Sequence, residues 1–119
     1  MPTAIAATAA YRNKVATAAA TGDALPKAAW LAFGSGDAPY SPDVDTALQA
    51  EFLRVATSNE VSGPSLTVRG VLSGQAAGEN IVREVAVIAA DGTLMGRRVV
   101  APKELEPETE IEFEIVFEY

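Results

Sequence analysis

The chain has 119 residues, about half of them hydrophobic, a net charge of −7, and neither cysteine nor histidine. That length and apolar content fit one domain, residues 1–119, with a single core, and argue against wholesale disorder. The acidic balance disfavours nucleic acid and anionic membrane surfaces as partners, since both select basic footprints. The missing Cys and His remove disulfides, thiol nucleophiles, the commonest general base and the commonest zinc ligand, and no cofactor is expected.

Residues 1–22 read as an N-terminal helix, because Thr3 to Ala20 is dominated by alanine. Thr3 is the candidate N-cap and Gly22 stands where a C-terminal cap belongs. Its apolar stripe (Ile5, Tyr11, Val15) is thin, so the helix is expected to dock on a sheet or a neighbouring subunit. The opening residues lack the basic start and longer apolar centre of a signal peptide, and no run reaches membrane-spanning length. The expectation is a protein made and used without export.

Lys27 to Phe33 reads as a short buried strand with Trp30 and Phe33 as its bulky members, followed by a turn-rich loop from Gly34. Ser41 then opens a predicted second helix over about 42–54, with Pro42 at its first position and Asp43 and Asp45 near its positive end. Val44, Leu48, Phe52 and Val55 would form its apolar face. Ser65 to Leu72 alternates as a strand, and Ser73 to Asn80 reads as a mobile loop.

Residues 81–100, IVREVAVIAADGTLMGRRVV, organise the rest. An Asp-Gly pair between two apolar runs is a strong hairpin signal, and a two-residue type I′ turn at Asp91-Gly92 is the expected form. That turn sets Ile88 opposite Met95, Ala86 opposite Arg97 and Val85 opposite Arg98. Val85, Val87, Ala89 and Leu94 then share one side, and Ala86, Ile88, Met95 and Val99 the other. Both sides are apolar, so both should be covered. A three-residue loop with a bulge would shift this pairing. After an acidic connection, Thr109 to Tyr119 gives the clearest period-two pattern, with Ile111, Phe113, Ile115, Phe117 and Tyr119 inward and glutamates outward. The expected fold is α+β: a mainly antiparallel sheet or sandwich with two helices packed on it.

Few residues point to chemistry. Gly34-Ser35-Gly36 lacks the third glycine of a dinucleotide loop and the Gly-Lys-Ser/Thr of a nucleotide loop, so a plain turn is favoured. Ser35 has no histidine to activate it. The glutamate row of the last strand reads as a solvated face rather than a cation site. Arg83-Glu84 and Arg97-Arg98 lie on opposing hairpin strands and can pair across them. The sharper alternative is that these charges meet a neighbouring subunit.

Taken in order, several motifs resemble the N-terminal, baseplate-attachment domain of P2-like bacteriophage tail-collar fibre proteins. They are Phe33-Gly34-Ser35-Gly36, Pro42, Thr46-Ala47-Leu48, Glu51-Phe52-Leu53-Arg54, Arg83-Glu84 and Asp91-Gly92-Thr93-Leu94. Ala86 and Ile88 depart from it, standing where that family usually shows glycine and an aromatic. The resemblance implies a structural, non-enzymatic virion protein of the tail or baseplate region, assembled in the host cytoplasm. Its implied partners are other tail, fibre or baseplate proteins and copies of itself, with a trimer favoured. Gly34, Gly36, Arg54, Arg83, Glu84, Asp91, Gly92, Arg97 and Arg98 are the assembly candidates. The reading from another class is a small β-sandwich binding module, for instance for carbohydrate, using the Gly34–Tyr40 and Ser73–Asn80 loops around Tyr40.

Overall fold

The structure, a computed structural model, describes residues 3–119. In chain order it runs α1 (Ala9–Thr21), β1 (Ala28–Gly34), β2 (Glu51–Ala56), β3 (Ser58–Ser62), β4 (Ser65–Ser73), α2 (Gly74–Ala77), β5 (Val82–Ala89), β6 (Leu94–Lys103) and β7 (Glu110–Glu118). The strands form two antiparallel sheets, ordered β2-β1-β5-β6 and β3-β4-β7. The fold is α+β. The sheets face each other across one core: Leu31, Phe33, Val85, Val87 and Met95 from the first meet Val68, Leu72, Phe113, Ile115 and Phe117 from the second. Phe33 and Phe113 touch edge to face, with centroids 5.1 Å apart.

The hairpin forms as expected away from its turn, with Ala86 opposite Arg97 and Val85 opposite Arg98. The turn itself corrects the type I′ reading. Only Gly92 has positive φ (92°), and Gly92 N–H donates to Ala89 O at 2.9 Å. Ala90-Asp91-Gly92 is therefore a three-residue loop with a left-handed glycine, and a bulge follows it between Val87 and Ile88. The extra residue sends Met95 to the main core, while Leu94 joins Ala32, Leu48, Ala86 and Ile88 on the outer face of the first sheet. The loop between β1 and β2 folds over that face through Leu48, so both faces of the hairpin are covered.

α1 ends at Gly22, whose φ of 78° makes it the left-handed C-cap. Its start lies at Thr8, not Thr3. Thr8 Oγ1 accepts the Tyr11 N–H at 3.1 Å and its hydroxyl donates to Leu94 O. Residues before Thr8 are committed elsewhere: Ile5 N–H donates to Val116 O and Thr8 N–H to Met95 O, both at 2.9 Å. The N-terminal stretch thus joins an edge of each sheet.

The second helix predicted over 42–54 is absent. A single turn forms at 42–44, with Asp45 N–H donating to Ser41 O at 2.8 Å, and residues 51–56 are β2. The second helix is instead the single turn α2, inside the segment read as a mobile loop and capped by Ser73. Trp30 also departs from the buried-strand reading. It turns to the outer face of the first sheet and is 40% exposed.

Asp91 does more than turn the chain. It accepts the Thr93 N–H at 3.0 Å and meets Lys14 of α1 at 3.0 Å, tying helix to hairpin. Those Thr93 contacts, with Lys14 behind them, hold its carboxyl down to about 2. A depressed folded value means stability present above the ordinary carboxylate range and lost as pH falls through about 2. Asp91→Asn should therefore flatten the dependence of unfolding free energy on pH between about 4 and 2. Urea titrations across that window give the measurement; an unchanged slope would refute the assignment.

Candidate functional site

The densest polar cluster is built around Glu84 on β5. The cross-strand offset predicted from sequence brings it to Arg97 on β6, where Arg97 Nε donates to Glu84 Oε1 at 2.8 Å. The pair is no surface bridge: Glu84 is 0% and Arg97 2% exposed. Each carboxylate oxygen takes two donors. Oε1 accepts from Arg97 and from Gln49 N–H, and Oε2 from the N–H groups of Gly36 and Ala50, all backbone distances being 2.8 Å. Burial alone would push the Glu84 carboxyl up, but Arg97 and the three backbone N–H groups outweigh it and hold it below its ordinary value. A carboxylate so held is a poor proton acceptor and a good strut. It pins both ends of the long β1–β2 connection to the central hairpin.

The connection accommodates this closely. A Cβ on Gly36 would lie 2.3 Å from Gln49 Cβ and 2.6 Å from Glu84 Oε2, and one on Gly34 would lie 2.4 Å from Glu84 Oε2. The two glycines serve backbone approach to a carboxylate, not to a phosphate. Gly36→Ala should cost about 1–3 kcal/mol by forcing the loop off Glu84. A melting temperature equal to wild type would contradict that.

On its far side Arg97 reaches Asp45 Oδ2 at 3.5 Å, while Nη2 is buried without a protein partner. Tyr40 closes the cluster: its hydroxyl donates to Ala6 O at 2.6 Å. Burial pushes the Tyr40 phenol up to about 12, against the backbone N–H of Arg97, which acts the other way. Tyr40 is therefore tied into the fold through its hydroxyl, with its ring half-buried.

Of the residues singled out from sequence, Gly34, Gly36, Glu84 and Arg97 come together here. Because Glu84 and Arg97 are interior, neither presents its charge to a neighbouring subunit. Arg83 and Arg98 are only half-buried, and Arg98 lines a shallow outer depression with Lys103 and Glu112. Arg54 lies on the outer face of β2, held by Glu51 at 2.6 Å. Asp91 and Gly92 are at the hairpin tip. Asp45 and Gln49 went unnoticed as members because they act through a loop that the predicted helix had claimed, and the sequence presents Tyr40 only as the aromatic of a sugar-binding loop.

No family model, no curated protein and no solved structure is similar to this chain.

Elsewhere the polar residues are spread over surfaces. On the outer face of the second sheet Arg69 links Glu60 (2.7 Å) and Glu114 (2.6 Å), so the glutamate row is partly bridged as well as solvated. Among the described residues no group of three or more acidic, His or Cys side chains is placed to hold a metal ion. No helix among them is long and apolar enough to cross a membrane.

An open groove of about 630 Å³ lies beside α1. Ile5, Val15, Ala16, Ala19, Phe117 and Tyr119 give it an apolar lining, with Arg12 and Asp43 paired at its rim at 2.5 Å. Tyr119, 58% exposed, faces Tyr11 with centroids 6.3 Å apart. Tyr11 is the one side chain that α1 buries, so most of this helix is solvent-facing. A 13-residue helix is marginal without packing, and here two caps and Lys14–Asp91 supply most of its support.

Proposed function

We propose that the chain is an assembly subunit: a structural virion protein of a tailed phage or a phage-derived contractile particle, joining fibre to baseplate. The observation that carries this reading is α1, a capped helix that buries almost nothing of its own beside an open apolar groove. Such a surface is what a subunit keeps for a neighbour. The internal placement of the Glu84–Arg97 cluster supports the same view, since it braces a loop. The motif order from Phe33-Gly34 to Asp91-Gly92 supplies the phage assignment, the virion location and the preference for a homotrimer. In this role the protein performs no reaction and needs no cofactor, nucleic acid or membrane.

Co-expression with the neighbouring tail and baseplate genes, followed by native mass spectrometry, tests it. A complex containing this chain and a baseplate or fibre protein is the expected result. A chain that joins none of them, while a glycan array shows specific binding, would transfer the assignment to the carbohydrate module.

A further inference from the structure

The sandwich has two open sides, and the chain closes one of them. There the stretch before α1 bridges β6 and β7 through Ile5 and Thr8. On the other side β2 ends the first sheet and β3 ends the second, each with a single neighbour. An edge strand with one hydrogen-bonded neighbour offers backbone donors and acceptors to any extended strand, and of the two described helices it is α2 that approaches β2. β2 carries neither proline nor lysine; its safeguards are its short length, the bulge at its start and the charges of Glu51 and Arg54. Its one irregularity lies at its start, and Leu53 to Ala56 pair regularly with β1.

The side chains say what fits. At the irregularity Glu51 stands opposite Gly34 and Leu53 opposite Phe33, which makes Phe52 the extra residue. Phe52, Leu53 and Val55 therefore all pack toward the core, each half-buried. Glu51 and Arg54 share the outer face, where they bond each other. This arrangement is self-complementary. Antiparallel pairing with a second β2, about a two-fold axis between residues 52 and 53, sets Glu51 opposite the partner's Arg54 and Phe52 opposite the partner's Leu53, each twice. Opposite charges meet on one face and half-buried apolar side chains on the other. An axis centred on residue 54 would bring two Arg54 guanidinium groups together, so charge selects the register.

We infer that β2 pairs with β2 of a second copy, giving a two-fold dimer whose first sheet is continuous across both subunits. The inference replaces the homotrimer that the motif order favours with a two-fold dimer, and it does not depend on the fibre–baseplate reading. Sedimentation velocity on the full chain tests it. Wild type should sediment as a dimer, and Glu51→Arg and Arg54→Glu alone should each halve the mass by setting like charges across the seam. Mixed in equal amounts, the two variants present opposite charges to each other, and the dimer should return. Both positions are exposed, so both variants should stay folded, with the wild-type circular dichroism spectrum and a cooperative melt, shifted down only by the loss of the partner. A monomeric wild type, single variants that keep the dimer mass, or a mixture that stays monomeric would overturn the edge pairing. A trimer indifferent to both variants overturns it and leaves the fibre reading standing. An edge dimer that binds no tail protein supports the pairing and removes the fibre reading.

Discussion

Ending the chain at Glu108 should abolish cooperative folding. β7 pairs with β4 over nine residues, from Ser65 opposite Glu118 to Ser73 opposite Glu110. It contributes Phe113, Ile115 and Phe117 to the core, all buried. Burying such side chains is worth about 1.5–3 kcal/mol each, as an upper estimate. Together they approach the whole net stability of a typical domain, about 5–15 kcal/mol. The loss extends beyond β7, because Ile5 would lose its backbone acceptor at Val116 and the N-terminal stretch its hold on the second sheet. Phe117→Ala is the gentler form, expected to cost about 3–5 kcal/mol. Phe117 packs beneath Gly96, where an added Cβ would lie 2.6 Å from its ring, so the site is tightly filled. Thermal melts followed by circular dichroism read both; a truncated chain melting cooperatively near the full-length temperature would refute the assignment of β7 to the core.

The second large effect is expected at Glu84. Glu84→Gln is nearly isosteric but replaces one acceptor oxygen with an NH₂ group, which would face two N–H donors at whichever site it occupies. It also leaves the buried Arg97 charge with only the longer contact to Asp45, at 3.5 Å. Breaking a buried pair in this way costs about 3–5 kcal/mol. Arg97→Met should cost less, about 1.5–3 kcal/mol, because Glu84 keeps its three backbone donors. The order of the two is the test: equal losses in denaturant titration would mean that the backbone N–H groups contribute little. Acid adds a second readout. Glu84 titrates below its unfolded value, so its contribution is complete above the ordinary carboxylate range and is lost as pH falls through the folded value. Arg97→Met removes one cause of that depression, and the acid limb of the stability curve should move to higher pH.

Patterns confined to one face of one element were legible in the sequence. The alternation of β7, the Gly22 cap and the central hairpin all depend on neighbouring residues alone. The 42–54 segment misled because its apolar residues serve different surfaces. Val44 is 74% exposed, Leu48 covers the outer face of the first sheet, and Phe52 and Val55 enter the main core. Their four-residue spacing arises from a turn, a loop and a bulged strand in succession. The helix was also outcompeted at its backbone: Glu84 takes the N–H groups of Gln49 and Ala50 that a helix would spend on its own carbonyls. The hairpin turn shows a related limit. Asp-Gly announced the reversal, but a two-residue and a three-residue loop share that signal, and the choice decides which of Leu94 and Met95 faces the core. For the site, the diagonal approach of Glu84 to Arg97, which stands opposite Ala86, followed from strand register. Its three backbone partners did not, since they belong to a connection with no periodicity to read.

The bond between Ile5 and Val116 sets when the protein can first exist during its synthesis. Nascent chains emerge from the ribosome at about 5–20 residues per second, beginning with the N-terminus. Residues 3–8 emerge before every strand and must wait until β7 has emerged before their register on both sheets is defined. Until then β4 lacks one neighbour and the inner face of the first sheet lacks its cover. Closure of such sequence-distant strands is intrinsically slow. The nascent chain therefore carries an adhesive, half-built sheet for as long as β7 is missing, and emergence of that strand is the step that makes it safe.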